Sequence, residues 1–110
     1  MVIEICTLKS KIMAHFMVEM FLPEILDMEF MQMIPSHRAY VDQLISDGKI
    51  LTYTVNEERT KGWIIFDAEE AEEVLDIVQQ FPINRFLTFE IHSLMIHDGE
   101  AFRFPKLHMN

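Results

Sequence analysis

The segment Ile50-Leu51-Thr52-Tyr53-Thr54-Val55, followed by Asn56-Glu57-Glu58-Arg59-Thr60-Lys61-Gly62 and then by Trp63-Ile64-Ile65-Phe66, decides how the rest of the chain is read. Its two ends are rich in β-branched and aromatic residues and its middle is polar. This pattern reads as two antiparallel strands joined by a loop. Working back from it, Gly48 supplies a helix stop, and Phe30, Met31, Ile34, Val41, Leu44 and Ile45 recur at helical spacings before it. Pro23 sits where such a helix can begin without losing a hydrogen bond, and Pro35 is expected to kink or divide it. Further back, Phe16, Val18 and Met20 alternate with His15, Met17 and Glu19 between Ala14 and Phe21, which is the period of a strand covered on both faces.

Forward of the hairpin, Asp67 followed three residues later by Glu70 has the form of a capping box, and Ala71, Val74, Leu75 and Val78 continue as an apolar stripe to about Gln80. Phe81-Pro82 ends this second helix. From Phe86 to Met95 the pattern alternates again, with Leu87, Phe89 and Ile91 on one side and Thr88, Glu90 and His92 on the other. The resulting order, β-α-β-β-α-β, predicts an α+β domain of the ferredoxin-like kind, with a four-stranded antiparallel sheet and both helices on one face. The second face then lacks a cover, leaving Met17, Trp63 and Ile65 in water, so the chain is expected to form a homodimer through its sheet faces. Residues 1–13 read as an N-terminal arm, 14–97 as the domain, and 98–110 as a tail whose Phe102, Phe104, Leu107 and Met109 dock on the same or a partner subunit.

At 110 residues there is room for one core and no second domain. Half the residues are hydrophobic and only 3 are Gly, which excludes a disordered chain. No apolar run approaches the roughly 18 residues of a membrane span. Glu4 interrupts the apolar start and Lys9 and Lys11 follow it, the reverse of a secretory leader, so a cytoplasmic location is expected. The single Cys6 allows neither an internal disulfide nor a cysteine-rich zinc site. A net charge of −9, without a Lys/Arg cluster, argues against nucleic acid as a partner. Much of that acidity lies in Asp67 to Glu73, where a helix start accepts it.

The residues also resemble those of the muconolactone isomerase family, over most of residues 14–97. The resemblance rests on Leu22-Pro23, on Leu44 four residues before Gly48, on the Phe81-Pro82-Ile83 turn, and on Phe86, Glu90-Ile91, Leu94 and His97. It is closer still to a branch with an Ile-Pro-x-x-Arg segment, here Ile34-Pro35-Ser36-His37-Arg38. It implies a dimeric α/β barrel, sometimes assembled into larger rings, with a pocket near the helices and a neighbour's tail. It also implies a proton shift along an unsaturated lactone without a cofactor. The family carries acidic and basic residues midway along its first helix, where this chain has Ser36-His37-Arg38.

Among the residues able to carry chemistry, His37 is the candidate base and Arg38 the anchor for an anionic ligand, although their adjacency on a helix points them roughly 100° apart. Tyr53 and Trp63, across the hairpin from one another, are candidate pocket residues, Tyr53 offering a hydroxyl to an oxyanion. His15 and Glu19 on the first strand, with Glu90 and His92 on the fourth, share a face and are read as polar interface residues or ligands for a divalent ion, with no metal assigned. Three functions fit: a cofactor-independent isomerase-like enzyme for a small unsaturated anionic metabolite, a non-catalytic ligand-binding or assembly domain, and a cofactor-free monooxygenase relying on Trp63, Tyr53 and a His. No Gly-rich phosphate loop, Ser nucleophile motif or paired Cys motif is present.

Overall fold

The structure is a computed structural model that describes residues 14–98. The arm of residues 1–13, and the tail beyond Asp98, lie outside the described residues. Strand β1 is Ala14–Phe21, helix α1 is Met28–Ser46, strands β2 and β3 are Ile50–Val55 and Lys61–Ala68, helix α2 is Ala71–Gln79, and strand β4 is Thr88–Leu94. A single 3-10 turn, Asn84–Phe86, leads into β4. The strands form one antiparallel sheet in the order β2-β3-β1-β4. This is the ferredoxin-like α+β arrangement expected from the β-α-β-β-α-β order. None of the helices described is long and apolar enough to cross a membrane.

The alternation along β1 sets the layers. Phe16, Val18 and Met20 are buried and stand beside Phe66, Ile64 and Gly62 of β3. On their other side they meet Ser93, Ile91 and Phe89 of β4. Phe16, Val18, Met20, Ile64 and Phe66 join Phe30, Val41 and Leu44 of α1 and Val74 and Val78 of α2 in one core, with Phe89 and Ile91 packed against it. Fully burying each such side chain stabilises the fold by roughly 1.5–3 kcal/mol, so the helix-facing side of the sheet carries most of the fold's apolar stabilisation.

Several local details depart from the sequence reading. Helix α1 begins at Met28, not near Pro23, because the Asp27 side chain accepts a hydrogen bond from the Phe30 backbone N–H at 2.9 Å and caps the helix there. Pro35 neither divides nor ends the helix; it lies on the exposed side of a continuous 19-residue element. A Pro in a helix interior costs about 3 kcal/mol. Burial of Phe30, His37, Val41 and Leu44 on the opposite side offsets that cost.

Asp67 belongs to β3, and α2 is entered instead through Glu70, with the Glu73 carboxylate accepting from the Glu69 backbone N–H at 3.2 Å. The capping box is therefore absent at Asp67. Phe86 falls in the 3-10 turn, where its ring meets Phe30 edge-on at 5.3 Å, so β4 starts later than the alternation suggested. An ion pair between Arg85 and Glu29 holds this turn against the start of α1. Gly48, just after α1, adopts φ 80°, the left-handed conformation that closes a helix with little cost only for Gly.

Gly62 is needed for a different reason: a Cβ there would lie 2.5 Å from Met20 Cε and 2.8 Å from the Thr54 backbone oxygen. The Met side chain can move, but the carbonyl belongs to the β2–β3 ladder. Gly62→Ala is expected to destabilise the fold by about 1–3 kcal/mol, the usual cost of overpacking. Urea denaturation at pH 7 would measure it, and unchanged stability would show that the hairpin gives way locally.

Candidate functional site

The site grows from one polar contact inside the core. Position 53 on β2 is directly opposite Ile64 of β3, so Tyr53 lies on the side of the sheet that faces the helices. On α1, His37 is one turn before Val41 and shares its buried stripe, which leaves it 1% exposed. His37 Nε2 and the Tyr53 hydroxyl are 2.7 Å apart. Phe81, at the end of α2, packs edge-on against the imidazole at 5.0 Å, and Tyr40 meets the same Phe81 ring at 5.8 Å.

Arg38 is exposed, as its position one residue on along the helix requires, but its guanidinium carbon stands 5.9 Å from the centre of the Tyr53 ring. The structure thus brings His37, Tyr53 and Arg38 together, with the imidazole inside, the phenol between and the cation outside.

The electrostatics assign different roles from those expected. Burial, reinforced by the positive charge of Arg38, lowers the His37 pKa to about 4, so the ring is neutral at pH 7. Burial raises the Tyr53 pKa, with Arg38 acting in the opposite direction, and the phenol keeps its proton. A base held this far below the working pH is weak, and a ring 1% exposed does not meet a ligand directly. The role of His37 as a base in contact with substrate does not fit this placement.

The tautomer follows from the other nitrogen. His37 Nδ1 is buried without a hydrogen-bond partner. An orphaned buried N–H is rarer in proteins than an orphaned acceptor, so the arrangement that leaves only a lone pair at Nδ1 is preferred. In it Nε2–H donates to the Tyr53 oxygen, and the Tyr53 hydroxyl proton takes no part in that bond.

The chain matches the family model described as Muconolactone delta-isomerase over residues 14–100. The chain belongs to the muconolactone delta-isomerase family. A search of curated proteins returned no match. Within this family fold, the match takes in all four strands and both helices that carry the site.

The other expected residues go elsewhere. Trp63 is paired with Thr54 and Glu19, one position out of step with Ile64, and therefore occupies the face away from the helices. A pocket lined by both Tyr53 and Trp63 of one protomer is not formed, because neighbouring residues of a strand point to opposite faces. On that second face Glu19, Glu90 and His92 converge. His15 shares the face, but it is four residues from Glu19 along β1, roughly 13 Å in an extended strand. It lies instead 3.9 Å from Asp67 Oδ1 and edge-on to the His97 ring at 4.8 Å.

Phe81, which the sequence places in a turn, packs against His37 and is the site residue that sequence alone does not nominate. Its aromatic character was visible, but its place beside His37 depends on where α2 ends against α1.

The low His37 pKa makes stability depend on pH in a definite direction. Below its unfolded value of 6.5 the unfolded chain binds a proton that the folded chain refuses until about pH 4. The stability that His37 contributes is full above pH 6.5 and falls as pH drops towards 4, by on the order of 2–3 kcal/mol. Urea unfolding from pH 7 to pH 4 should show this loss in the wild type, and a smaller one in His37→Gln. Parallel curves for the two proteins would refute the assignment.

Proposed function

We propose that the chain is a cofactor-independent, isomerase-like enzyme that moves a proton on a small unsaturated anionic metabolite of the lactone class. The observation that carries this reading is the Tyr53 hydroxyl, held from behind by neutral His37 and flanked by the Arg38 cation. A proton shift next to a carbonyl passes through an enolate, whose oxygen gains negative charge as the C–H bond breaks. A fixed hydroxyl donor aimed at that oxygen lowers the barrier more than it strengthens ground-state binding.

Tyr53 is the donor in this proposal and Arg38 pairs with the substrate's carboxylate. His37 acts through Tyr53: its N–H fixes the phenol oxygen and polarises the O–H that faces the ligand. In this proposal solvent water takes the proton from one substrate carbon and returns one to another, so none of the three residues acts as the base and no co-reactant is consumed. Membership of the muconolactone delta-isomerase family supports the same class of reaction.

A ligand-binding role without catalysis is favoured by one observation, the weakness of His37 as a base. The two readings separate in deuterium oxide. Incubation with unsaturated lactone carboxylates, followed by proton NMR, should show exchange of the acidic C–H in the presence of the enzyme. Tyr53→Phe should lower kcat by about 10²–10³-fold, the usual effect of losing one such donor. Arg38→Gln should mainly raise KM. Binding without exchange would establish the non-catalytic role. Full kcat in Tyr53→Phe would refute the enzyme mechanism. The monooxygenase alternative required Trp63, Tyr53 and a His in one place, a set that a single protomer does not assemble.

The second face of the sheet supports a further part of the proposal, a homodimer in which two such faces pack together. Met17 and Trp63 lie half-buried there; Ile65, between them on the same face, is only 7% exposed within the single chain, so the expectation that it is left in water does not hold. Trp63→Asp is expected to convert the dimer to a monomer in analytical ultracentrifugation. An unchanged sedimentation coefficient would place the interface elsewhere.

A further inference from the structure

We propose that Glu19, Glu90 and His92 form a binding site for a first-row divalent cation of the zinc class, on the sheet face opposite the helices. The site is distinct from His37 and Tyr53 and does not rest on the isomerase reading.

The register of β1 and β4 builds it. Glu19 is directly opposite Glu90, and His92, two residues further along β4, is on the same face. His92 Nε2 lies 3.5 Å from Glu90 Oε1 and 3.8 Å from Glu19 Oε1, and all three donor atoms fall within 4.8 Å of one another. With metal–ligand bonds of about 2.0–2.2 Å, the donors of a tetrahedral site stand roughly 3.3–3.6 Å apart. The imidazole and the carboxylates are therefore already near the separations that a bound ion would impose, and they are carried by strands rather than by a loop.

Charge gives the second argument. Two carboxylates directly opposite one another across a strand pair repel, and a dication between them turns that repulsion into attraction. Lys61 on β3 approaches Glu19 through its other oxygen, Oε2, at 3.5 Å, while its ammonium also lies over the Phe21 ring at 5.2 Å. Lys61 thus engages the far side of the carboxylate, orienting it, and Oε1 remains turned towards His92. One nitrogen and two carboxylate oxygens suit zinc and its neighbours better than calcium, which takes six or more oxygens. Three protein ligands leave a coordination position for water or an incoming donor.

The test is titration of untagged, metal-free protein, in a Cys6→Ser background, with Zn²⁺ by calorimetry and with Co²⁺ by visible absorption. One ion per chain is expected, with the intense visible bands of low-coordinate cobalt. His92→Ala and Glu90→Gln, both at side chains well exposed on the edge strand, should each weaken binding at least about tenfold, the lower end of what losing even an outer partner costs. His15→Ala should bind as the wild type does. Absence of binding at millimolar Zn²⁺, or affinity that survives both His92→Ala and Glu90→Gln, would overturn the proposal. Circular dichroism of each variant, matching the wild type, confirms that a loss reports the ligand and not the fold.

Discussion

The antiparallel register of β1 against β3 is the constraint on which the molecule depends. These two strands are the centre of the sheet, and pairing Val18 with Ile64 and Phe16 with Phe66 puts their apolar side chains under the helices. Side chains alternate with a period of two, so a shift of one residue would move all of them to the opposite face. The same register sends Met17, Glu19, Trp63 and Ile65 to the other side. Each of the two functional proposals occupies one of these faces, and neither could exist with the strands offset by one.

On the helix side, the register of β2 against β3 places Tyr53 opposite Ile64 and so beneath α1. A phenol and an imidazole inside an apolar layer would be costly if left unpaired, each losing on the order of 1–3 kcal/mol. Their mutual hydrogen bond removes most of that cost and leaves one imidazole nitrogen unsatisfied. Buried polar pairs of this kind define geometry more than they add stability. Here the geometry gives a phenol hydroxyl with a fixed oxygen, a free proton and a cation within reach.

On the other side, the polar residues are arranged across strands instead of between layers. Glu19, Glu90, His92 and Lys61 form a small polar patch, two carboxylates with an imidazole and one ammonium, next to Met17, Trp63 and Ile65. An apolar centre with a charged flank is the composition of a surface that meets something, and it fits a second copy of the same face. In the two proposals the helix layer and the open layer have separate roles: the first would hold the phenol site, the second association and an ion.

Much of the fold was legible in the residues. Alternation in Ala14–Phe21 and Ile50–Val55, helical spacing from Phe30 to Leu44 and the stop at Gly48 all report local backbone geometry, which short stretches of sequence encode. The family resemblance in the last third, Phe81-Pro82-Ile83 to His97, carried the same information. Helix starts were less legible, because Pro23 competes with Asp27 as a start for α1, and Asp67 with Glu70 has the form of a capping box although Asp67 belongs to β3.

Of the site, the sequence alone could nominate His37, Arg38 and Tyr53 and could not say that they meet. His37 is separated from Tyr53 by 16 positions, and its burial depends on the rotation of α1 about its axis, which the packing of Phe30, Val41 and Leu44 decides. That rotation makes the candidate base a buried, neutral ring bonded to a phenol. Likewise, the pairing of Tyr53 with Ile64 instead of Trp63 is a matter of strand register, and the convergence of Glu19 with His92 depends on which strands are neighbours. Composition and periodicity determined the elements and the faces they would bury; only the tertiary structure decided which polar groups came within bonding distance, because that depends on contacts between residues far apart in the chain.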